Sequence, residues 1–389
     1  MKALSFEGSG MEYFKIWIVN ILLTIVTLGL YYPWAKVRNN RYFYANSTLE
    51  GRNFEYHATG KQLFIGYLIA MVLFIAYSVI QEVSPKGGLI VALIFLLALP
   101  WIIWRSMKFN MRMTSFSNVR FGFVGELAGS YVNFLVLPII FFVTLYGGPF
   151  IAIYASLGWV IGIILALAFL ALAFFIYAYM RKRNVSYMIN GTRYGQGEFL
   201  AKIKMEKFAI IILKAFGLGI LVLIAISVLI SAVLFLIIGT EAFMALEGDF
   251  NKIVDFMAET LSPWVMYALG GLTYLLFIIG LMLVLAYTIT RQRTYVYENT
   301  TLDEKITFKS TLKAKSLAFI MITNLLAIIF SFGLALPWAK VRLARLMLEN
   351  TQINTDEGFD SYITQKEKES SALGEQIGDA FDVDVGLGF

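Results

Sequence analysis

Eight apolar runs, most of them about as long as a membrane is thick, constrain the fold of this chain more than any other feature. A helix needs about 20 apolar residues to span a bilayer. Charged residues make up only 15% of the chain, against about a quarter in soluble proteins. The sequence therefore predicts a polytopic α-helical membrane protein. The runs lie at about 14–34, 62–82, 88–104, 131–154, 157–180, 208–239, 262–290 and 318–338.

The charges between the runs predict their orientation. Lys and Arg cluster after the first, third, fifth and seventh runs, whereas the connections that follow the second, fourth and sixth runs are nearly neutral, uncharged or acidic. Since basic loops stay in the cytoplasm, the six middle runs should form three helical hairpins that enter and leave on the cytoplasmic side. Most loops between units, and both termini, are then expected in the cytoplasm.

The first and last runs have positive charge at both ends, which a single crossing cannot keep on one side of the membrane. Each run either crosses or dips in and returns as a re-entrant hairpin, so the chain is expected to have six to eight membrane segments. Both runs contain residues that could break the helix. These are Thr27, Gly29 and Pro33 in the first run and the equivalent Ser331, Gly333 and Pro337 in the last.

An internal repeat relates these two runs. The hexapeptide Pro-Trp-Ala-Lys-Val-Arg at 33–38 returns at 337–342, 304 residues later, and the register holds back to Asn20 and Asn324. Tryptophan at headgroup level, followed by Lys and Arg, is typical of a helix that leaves a bilayer. Variations on the same unit divide residues 1–353 into a membrane domain built of internal repeats, with units of about 1–53, 54–120, 121–198, 199–307 and 308–353.

Segments with strand character separate the units. Residues 46–59 place Gly51 in a turn and then alternate apolar with polar side chains, which predicts a β-hairpin. Comparable segments follow at 114–123, 190–199 and 299–308. Several such hairpins could pair into a small cytoplasmic sheet.

Two further segments stand apart from the repeat. Residues 241–261 carry apolar residues at spacings of three and four, with acidic residues between them, which predicts an amphipathic helix on the outer side. The C-terminal tail, 354–389, holds nine acidic and two basic residues. The tail either docks on the basic cytoplasmic rim or stays solvated and disordered, and its last apolar residues would suit strand addition to a sheet edge.

Polar residues inside the apolar runs are candidates for binding, because a polar group in a membrane is costly and is often functional. Asn20 and Asn324 occupy equivalent repeat positions. Both could face one polar cavity, or each could hydrogen-bond between helices. The other candidates inside the runs are Thr24, Thr27, Asn133 and Lys214.

The basic and aromatic residues that flank the repeated runs form a second group of candidates. They either anchor the helix ends or bind an anionic headgroup or anionic solute at the cytoplasmic rim. The members of this group are Trp34, Lys36, Arg38, Arg41, Trp338, Lys340, Arg342 and Arg345.

Little catalytic chemistry is open to this chain. It has no cysteine and one histidine, which excludes thiolate nucleophiles and multi-histidine metal sites. The sequence also has no phosphate-loop or nucleophile-elbow motif. We therefore expect no metal, no cofactor and no enzymatic activity. Because the basic residues lie just outside the apolar runs, the expected partners are the phospholipid bilayer and its anionic headgroups rather than nucleic acid.

The repeated segment also carries a family resemblance. Residues 27–35, with Arg38, Arg41 and Tyr42 after them, and the C-terminal stretch 378–387 resemble the YjgN family of bacterial inner-membrane proteins, a family of unknown function. The resemblance covers essentially the whole chain. It implies a multi-pass protein of the bacterial inner membrane, but neither a substrate nor a reaction.

Two functions are compatible with the sequence. The first is a non-enzymatic, transporter- or channel-like protein for a small solute or lipid. The second is a membrane scaffold or regulatory protein that binds a partner through its cytoplasmic hairpins and acidic tail. Flux through reconstituted vesicles would favour the first, and loss of a partner on removal of the tail would favour the second.

Overall fold

The chain folds into two compact units. One contains residues 1–209, 293–312 and 327–389, and the other contains 210–292 and 313–326. The structure, a computed structural model, describes residues 1–154, 158–239, 252, 257, 259, 261–355 and 361–368. Most of the predicted amphipathic helix at 241–261, and most of the tail at 354–389, fall outside the described residues.

Helices make up most of the described chain. Among the described residues, α3 to α8 are the helices long and apolar enough to cross a membrane. These six correspond to the second to seventh apolar runs and confirm the prediction of a polytopic helical membrane protein. The helices are α1 (Gly10–Val26), α2 (Tyr32–Ala45), α3 (Gly60–Val83), α4 (Pro85–Arg112), α5 (Leu127–Ile151), α6 (Trp159–Asn190), α7 (Met205–Ile238), α8 (Pro263–Glu298), α9 (Ala314–Phe330), α10 (Leu336–Glu349) and α11 (residues 361–368).

The first apolar run is broken by a turn. Between α1 and α2 the chain passes through Leu28 and Gly29, whose φ values are 50° and 92°. Glycine tolerates this left-handed backbone without a steric penalty. The Thr27 hydroxyl accepts a hydrogen bond of 2.9 Å from the Tyr31 backbone N–H and so closes the turn.

The last run turns in the same way between α9 and α10. Phe332 and Gly333 have φ values of 51° and 90°, and the Ser331 hydroxyl accepts a hydrogen bond of 2.8 Å from the Ala335 N–H. A short hydroxyl side chain therefore plays the same role in both turns.

The Pro-Trp motif begins a helix in each copy. Pro33 lies in the first turn of α2, and Pro337 lies in the first turn of α10. Proline is favoured there because the first N–H groups of a helix have no partner within it. The motif therefore lies at the start of the second helix of each pair, after the preceding helix has ended, and not at the end of one continuous apolar helix.

Eleven short strands lie between the helices of the described chain. Neighbouring strands are antiparallel, in the order β1-β11-β10-β9-β8-β7-β6-β5-β4-β3-β2. The strands are β1 (Lys2–Ala3), β2 (Ser5–Phe6), β3 (Ser47–Leu49), β4 (Arg52–Tyr56), β5 (Thr114–Phe116), β6 (Val119–Phe123), β7 (Thr192–Tyr194), β8 (Gly197–Ala201), β9 (Thr300–Leu302), β10 (Ile306–Ser310) and β11 (Thr351–Thr355).

The two ends of this strand order are consecutive in the chain, because only Leu4 separates β1 from β2. β1 pairs with β11, and β2 pairs with β3, where Phe6 lies opposite Ser47. The Leu4 N–H also donates to the Thr351 carbonyl at 3.0 Å. The strands therefore form a closed ring, which we call the strand ring.

The inside of the strand ring is apolar. Side chains alternate between the two faces of each strand, and one set of them meets in the centre. Two residues of α11, Tyr362 and Ile363, pack into the same cluster and are 5% and 1% exposed. The buried strand residues of the cluster are Leu49, Phe116, Val119, Tyr194, Leu302 and Ile306.

The smaller unit contains most of α7 and α8 and the first part of α9. α7 and α8 approach closely at Gly280, where a Cβ atom would lie 2.6 Å from a methyl group of Val222. Small residues at such crossings are typical of helices that pack within a membrane. Asn324 is buried in the α9 part of this unit.

Candidate functional site

A polar cavity of about 470 Å³ is lined by α1, α2 and one residue of α10. α1 packs against both of the other helices. Lys36 and Lys340 both line this cavity. These two lysines are the same residue of the two copies of the repeated hexapeptide. The fold therefore brings together side chains that are 304 positions apart in the sequence.

Asn20 lies in the wall of this cavity and is 3% exposed. Its Nδ2 donates to Asn39 Oδ1 at 3.0 Å, and Arg38 Nη1 donates to its Oδ1 at 3.4 Å. The side chain thus links α1 to α2, in the manner of a polar residue that connects two membrane helices. Because Asn39 accepts through its oxygen, its own Nδ2 group is turned away from that bond.

Tyr13 also lines the cavity and is fully buried, with 0% exposure. Its ring stacks on Tyr42 at 5.2 Å and meets Phe43 edge-on at 4.8 Å. Its hydroxyl has no hydrogen-bond partner among the described residues. A buried hydroxyl without a partner carries a desolvation penalty, so the Tyr13 hydroxyl is an unsatisfied donor in a residue that lines the cavity.

The arginines of the repeated motif make structural contacts instead. Arg41 Nη2 donates to the Ala58 carbonyl at 2.9 Å, and Arg345, the equivalent residue, donates to the Gly8 carbonyl at 3.0 Å. Each accepting carbonyl lies two residues before the first residue of the next helix, α3 or α1. α10 therefore contacts α1 as α2 contacts α3.

The two tryptophans of the repeated motif connect the same helices as the arginines, α2 to α3 and α10 to α1. Trp34 lies against Gly60, the first residue of α3, and Trp338 lies against Gly10, the first residue of α1. At both glycines a Cβ atom would overlap the indole ring. Trp338 also packs on Phe14, with ring centroids 5.1 Å apart. These aromatic residues join one helix pair to the next.

The remaining candidates lie elsewhere. Thr24 donates to the Asn20 carbonyl within its own helix. Asn133 is 1% exposed, and its Oδ1 accepts a hydrogen bond of 2.9 Å from Arg183 Nε, which links α5 to α6. Lys214 is exposed in α7, and Arg342 is half-buried in α10. The structure therefore brings Asn20, Thr24, Lys36 and Lys340 to one cavity and leaves Asn133 outside it.

A second cavity, of about 360 Å³, lies inside the strand ring. Its walls are almost entirely apolar and rich in aromatic rings. Ile189 of α6 and Val296 and Tyr297 of α8 line it at helix ends, and Tyr362 and Ile363 of α11 line it as well. The strand residues that line it include Leu49, Phe54, Phe116, Phe121, Phe199, Leu302 and Phe308.

Asp303, in the turn between β9 and β10, holds α11 on the strand ring. Its Oδ2 accepts from Lys366 Nζ at 2.9 Å and from the Tyr362 hydroxyl at 2.9 Å, while its Oδ1 accepts from the Glu198 N–H at 2.7 Å. A further bond of 3.1 Å runs from Asn118 to Glu367.

These contacts set the charge state of Asp303. Partial burial acts to raise the pKa of its carboxyl, but the hydrogen bonds from Lys366, from the Glu198 N–H and from Tyr362 outweigh it, and the pKa lies below its usual value of 3.8. The described part of the tail thus docks on the strand ring through Tyr362, Ile363, Lys366 and Glu367.

Sequence reasoning did not identify Tyr13, Asn39, Asp303 or Lys366 as site residues. Tyr13 and Asn39 belong to stretches that look like helix interiors, and nothing local marks them as lining a cavity. Of these four residues, Lys366 is the one that the sequence could have pointed to, because it is one of only two basic residues in an otherwise acidic tail.

Comparisons with known proteins connect the chain to a bacterial family. A family model described as "Bacterial protein of unknown function (DUF898)" matches residues 1–380. The chain is similar to the inner membrane protein YjgN of Salmonella typhimurium strain LT2, with 27% identity over 364 residues that cover 91% of this chain and 88% of that protein. It is also similar to the inner membrane protein YjgN of Escherichia coli K12, with 36% identity over 138 residues, or 35% of this chain and 34% of that protein. No solved structure matches the chain.

Proposed function

The chain belongs to the DUF898 family of bacterial proteins of unknown function, and we propose that it is a non-enzymatic conduit that binds and passes a small apolar or single-chain amphiphilic molecule. The observation that carries this proposal is the apolar cavity inside the strand ring, with α11 packed into it. The relatives named above are inner membrane proteins, so we propose the inner membrane as the site of action.

The size and lining of the cavity favour this class of molecule. Sites for small molecules usually enclose about 300–1,000 Å³ and are mostly apolar, and this cavity, at about 360 Å³, lies at the low end of that range. It suits one small apolar molecule or one acyl chain better than a phospholipid with two chains. An apolar constriction also opposes ion conduction, because it tends to exclude water.

The charge pattern supports a cytoplasmic position for the strand ring. α4, α6 and α8 lead into strands β5, β7 and β9, and the C-terminal parts of these helices carry Arg and Lys residues that should stay in the cytoplasm. β4 pairs with β5, and β6 pairs with β7. The helix pairs α3–α4 and α5–α6 therefore start and end at the same side, as two crossings require.

Strand pairing also supports re-entry of the first and last runs. β2 leads into α1 and β3 follows α2, and these two strands are paired. β10 and β11, which flank α9 and α10, are paired as well. α1 has 17 residues and is therefore about 26 Å long, which is short of the hydrocarbon thickness of about 30 Å. We propose that both segments dip into the membrane and return.

In this proposal α11 blocks the passage through the strand ring. It contributes Tyr362 and Ile363 to the apolar cluster and is fastened to the strand ring by Asp303. Passage through the ring would require α11 to move aside, so the closed arrangement described here is the resting state.

The test is transport of a labelled single-chain lipid in proteoliposomes. We would follow the protection of fluorescent lysophosphatidylethanolamine from dithionite, comparing the full chain with a variant that ends at residue 360. Removal of α11 should speed the exchange. In that shortened chain, Phe199→Asn should slow it, because Phe199 lines the cavity.

Leu200→Asn is the matched control for Phe199→Asn. Leu200 is the next residue of β8, points to the other face, and is 36% exposed. Exchange at the rate of protein-free vesicles in every variant would refute the conduit and leave the scaffold as the remaining hypothesis.

A further inference from the structure

We propose that the polar cavity between α1, α2 and α10 is a binding site for a phosphate group, built by the two copies of the repeated motif. The site is separate from the apolar cavity of the strand ring and shares none of its lining residues. The inference does not depend on the proposed conduit.

The first argument is the convergence of charge. Lys36 and Lys340 line one cavity, and the described residues of its lining include no Asp or Glu. Neither lysine forms an ion pair with a residue that the structure describes. Two ammonium groups held at one cavity without a counter-charge repel each other, and an anion between them would relieve that repulsion.

The second argument is the supply of neutral donors. The Tyr13 hydroxyl is buried and has no hydrogen-bond partner in the described chain. Asn39 uses its oxygen to bind Asn20, which leaves its two N–H bonds for other partners. An ammonium group can only donate, and an anionic oxygen accepts. The cavity thus combines two cationic donors with two neutral ones, which suits the several oxygens of a phosphate.

The third argument is the geometry of support. Arg38 and Asn39 both bind Asn20, which fixes the wall of the cavity between α1 and α2. Trp338 packs on Gly10 and Phe14 and so holds α10, with Lys340, against α1. The two lysines therefore come from helices that are both anchored to α1, and the site exists only where the last repeat meets the first.

A phosphate group could come from a phospholipid headgroup or from a soluble phosphate, and the experiment separates the two. We would reconstitute the full chain in phosphatidylcholine nanodiscs that contain a minority of phosphatidylglycerol and count retained phosphatidylglycerol by native mass spectrometry. In parallel, we would titrate glycerol phosphate into the chain in phosphatidylcholine nanodiscs by calorimetry. Binding of the lipid alone assigns the headgroup, and binding of both probes assigns the phosphate itself.

The key variant is Lys36→Gln/Lys340→Gln, and its matched control is Lys15→Gln/Lys61→Gln. All four lysines are exposed, and the control pair removes the same charge away from the cavity. We expect the cavity variant to lose at least about tenfold in affinity and the control to lose less than about twofold. Equal affinities in the two variants, for both probes, would overturn the proposal.

Tyr13→Phe tests the neutral donor. It removes only the hydroxyl, which has no hydrogen-bond partner in the part of the chain that the structure describes, so the melting temperature without ligand should not fall. The affinity should drop about tenfold, as expected for a hydrogen bond to a charged group. If Tyr13→Phe changes neither the melting temperature nor the affinity for the probes that bind, Tyr13 is not part of the site and the proposed set of donors is wrong.

Discussion

The fastening of α11 by Asp303 gives a sharp prediction, because one carboxylate holds both Lys366 and Tyr362. Asp303→Asn keeps the shape of the side chain and removes its charge. Lys366, whose side chain is 9% exposed, would then lose the carboxylate that it binds at 2.9 Å. Docking of α11 should become weaker while the strand ring stays intact.

The magnitude follows from the burial of the two groups. A hydrogen bond to a charged group contributes about 1.5–3 kcal/mol, and breaking a fully buried ion pair costs about 3–5 kcal/mol. The side chain of Asp303 is 23% exposed, so water offsets part of the loss. We therefore expect about 2 kcal/mol, which corresponds to about a 30-fold larger population of undocked α11.

Thiol labelling measures that population directly. The chain contains no cysteine, so Ile363→Cys introduces a single thiol at a position that is 1% exposed. Its labelling by a maleimide requires α11 to leave the strand ring, and the rate follows the undocked population. Asp303→Asn should raise the labelling rate about 30-fold.

The control is Glu304→Gln, in the neighbouring residue. With the described residues, Glu304 forms a long, exposed ion pair of 3.9 Å to Lys202, and such surface pairs contribute little. The labelling rate in this variant should match that of the parent. If Asp303→Asn and Glu304→Gln label at the same rate, the carboxylate does not fasten α11 and the reasoning is wrong.

Three further predictions follow from other contacts. The pKa of Asp303 is lowered in the docked state, so docking of α11 is intact above the ordinary pKa of 3.8 and should weaken as the pH falls through the lower pKa of the docked state. The fluorescence anisotropy of a dye on α11 would report this loss of docking. An anisotropy that stays unchanged down to acid unfolding would contradict the prediction. Asn133→Leu removes the acceptor that Arg183 Nε binds, while Arg183 keeps its bond to the Tyr179 hydroxyl. It should lower stability by about 2 kcal/mol, a loss that Asn133→Leu/Arg183→Met should largely reverse in thermal unfolding. Gly10→Ala forces a Cβ atom into an indole ring and should cost about 1–3 kcal/mol, whereas Gly66→Ala, with open space around it, should not lower the melting temperature.

The sequence predicts the six long helices well, because each apolar run is continuous and long enough to decide its own structure. The two broken helices show the limit of that reasoning. Gly29 and Pro33 were recognised as residues that could end a helix. A proline, however, can either follow the end of one helix or lie in the first turn of the next. Proline in the first turn of α2 is favourable, and hydropathy does not distinguish these cases.

The two cavities were beyond prediction for a different reason. The repeat shows that Lys36 and Lys340 are equivalent, but equivalence does not bring residues together, and their meeting depends on the last repeat packing against the first. The buried Tyr13 and the fastening of Lys366 to Asp303 depend on the same long-range packing. Such contacts leave no local pattern, whereas the turn hydroxyls Thr27 and Ser331 act within four residues and were visible as part of the repeat.

The closure of the strand ring has a consequence for how this protein is made. β1 and β2 leave the ribosome before the other strands, yet β1 pairs with β11, which ends at Thr355. The ring therefore stays open until β11, and with it every helix from α1 to α10, has been synthesised. Contacts between residues so distant in sequence form slowly, and unpaired strand edges invite wrong pairing in the meantime. Deletion of residues 2–6 should therefore impair folding strongly although the segment is short, because these residues close the strand ring.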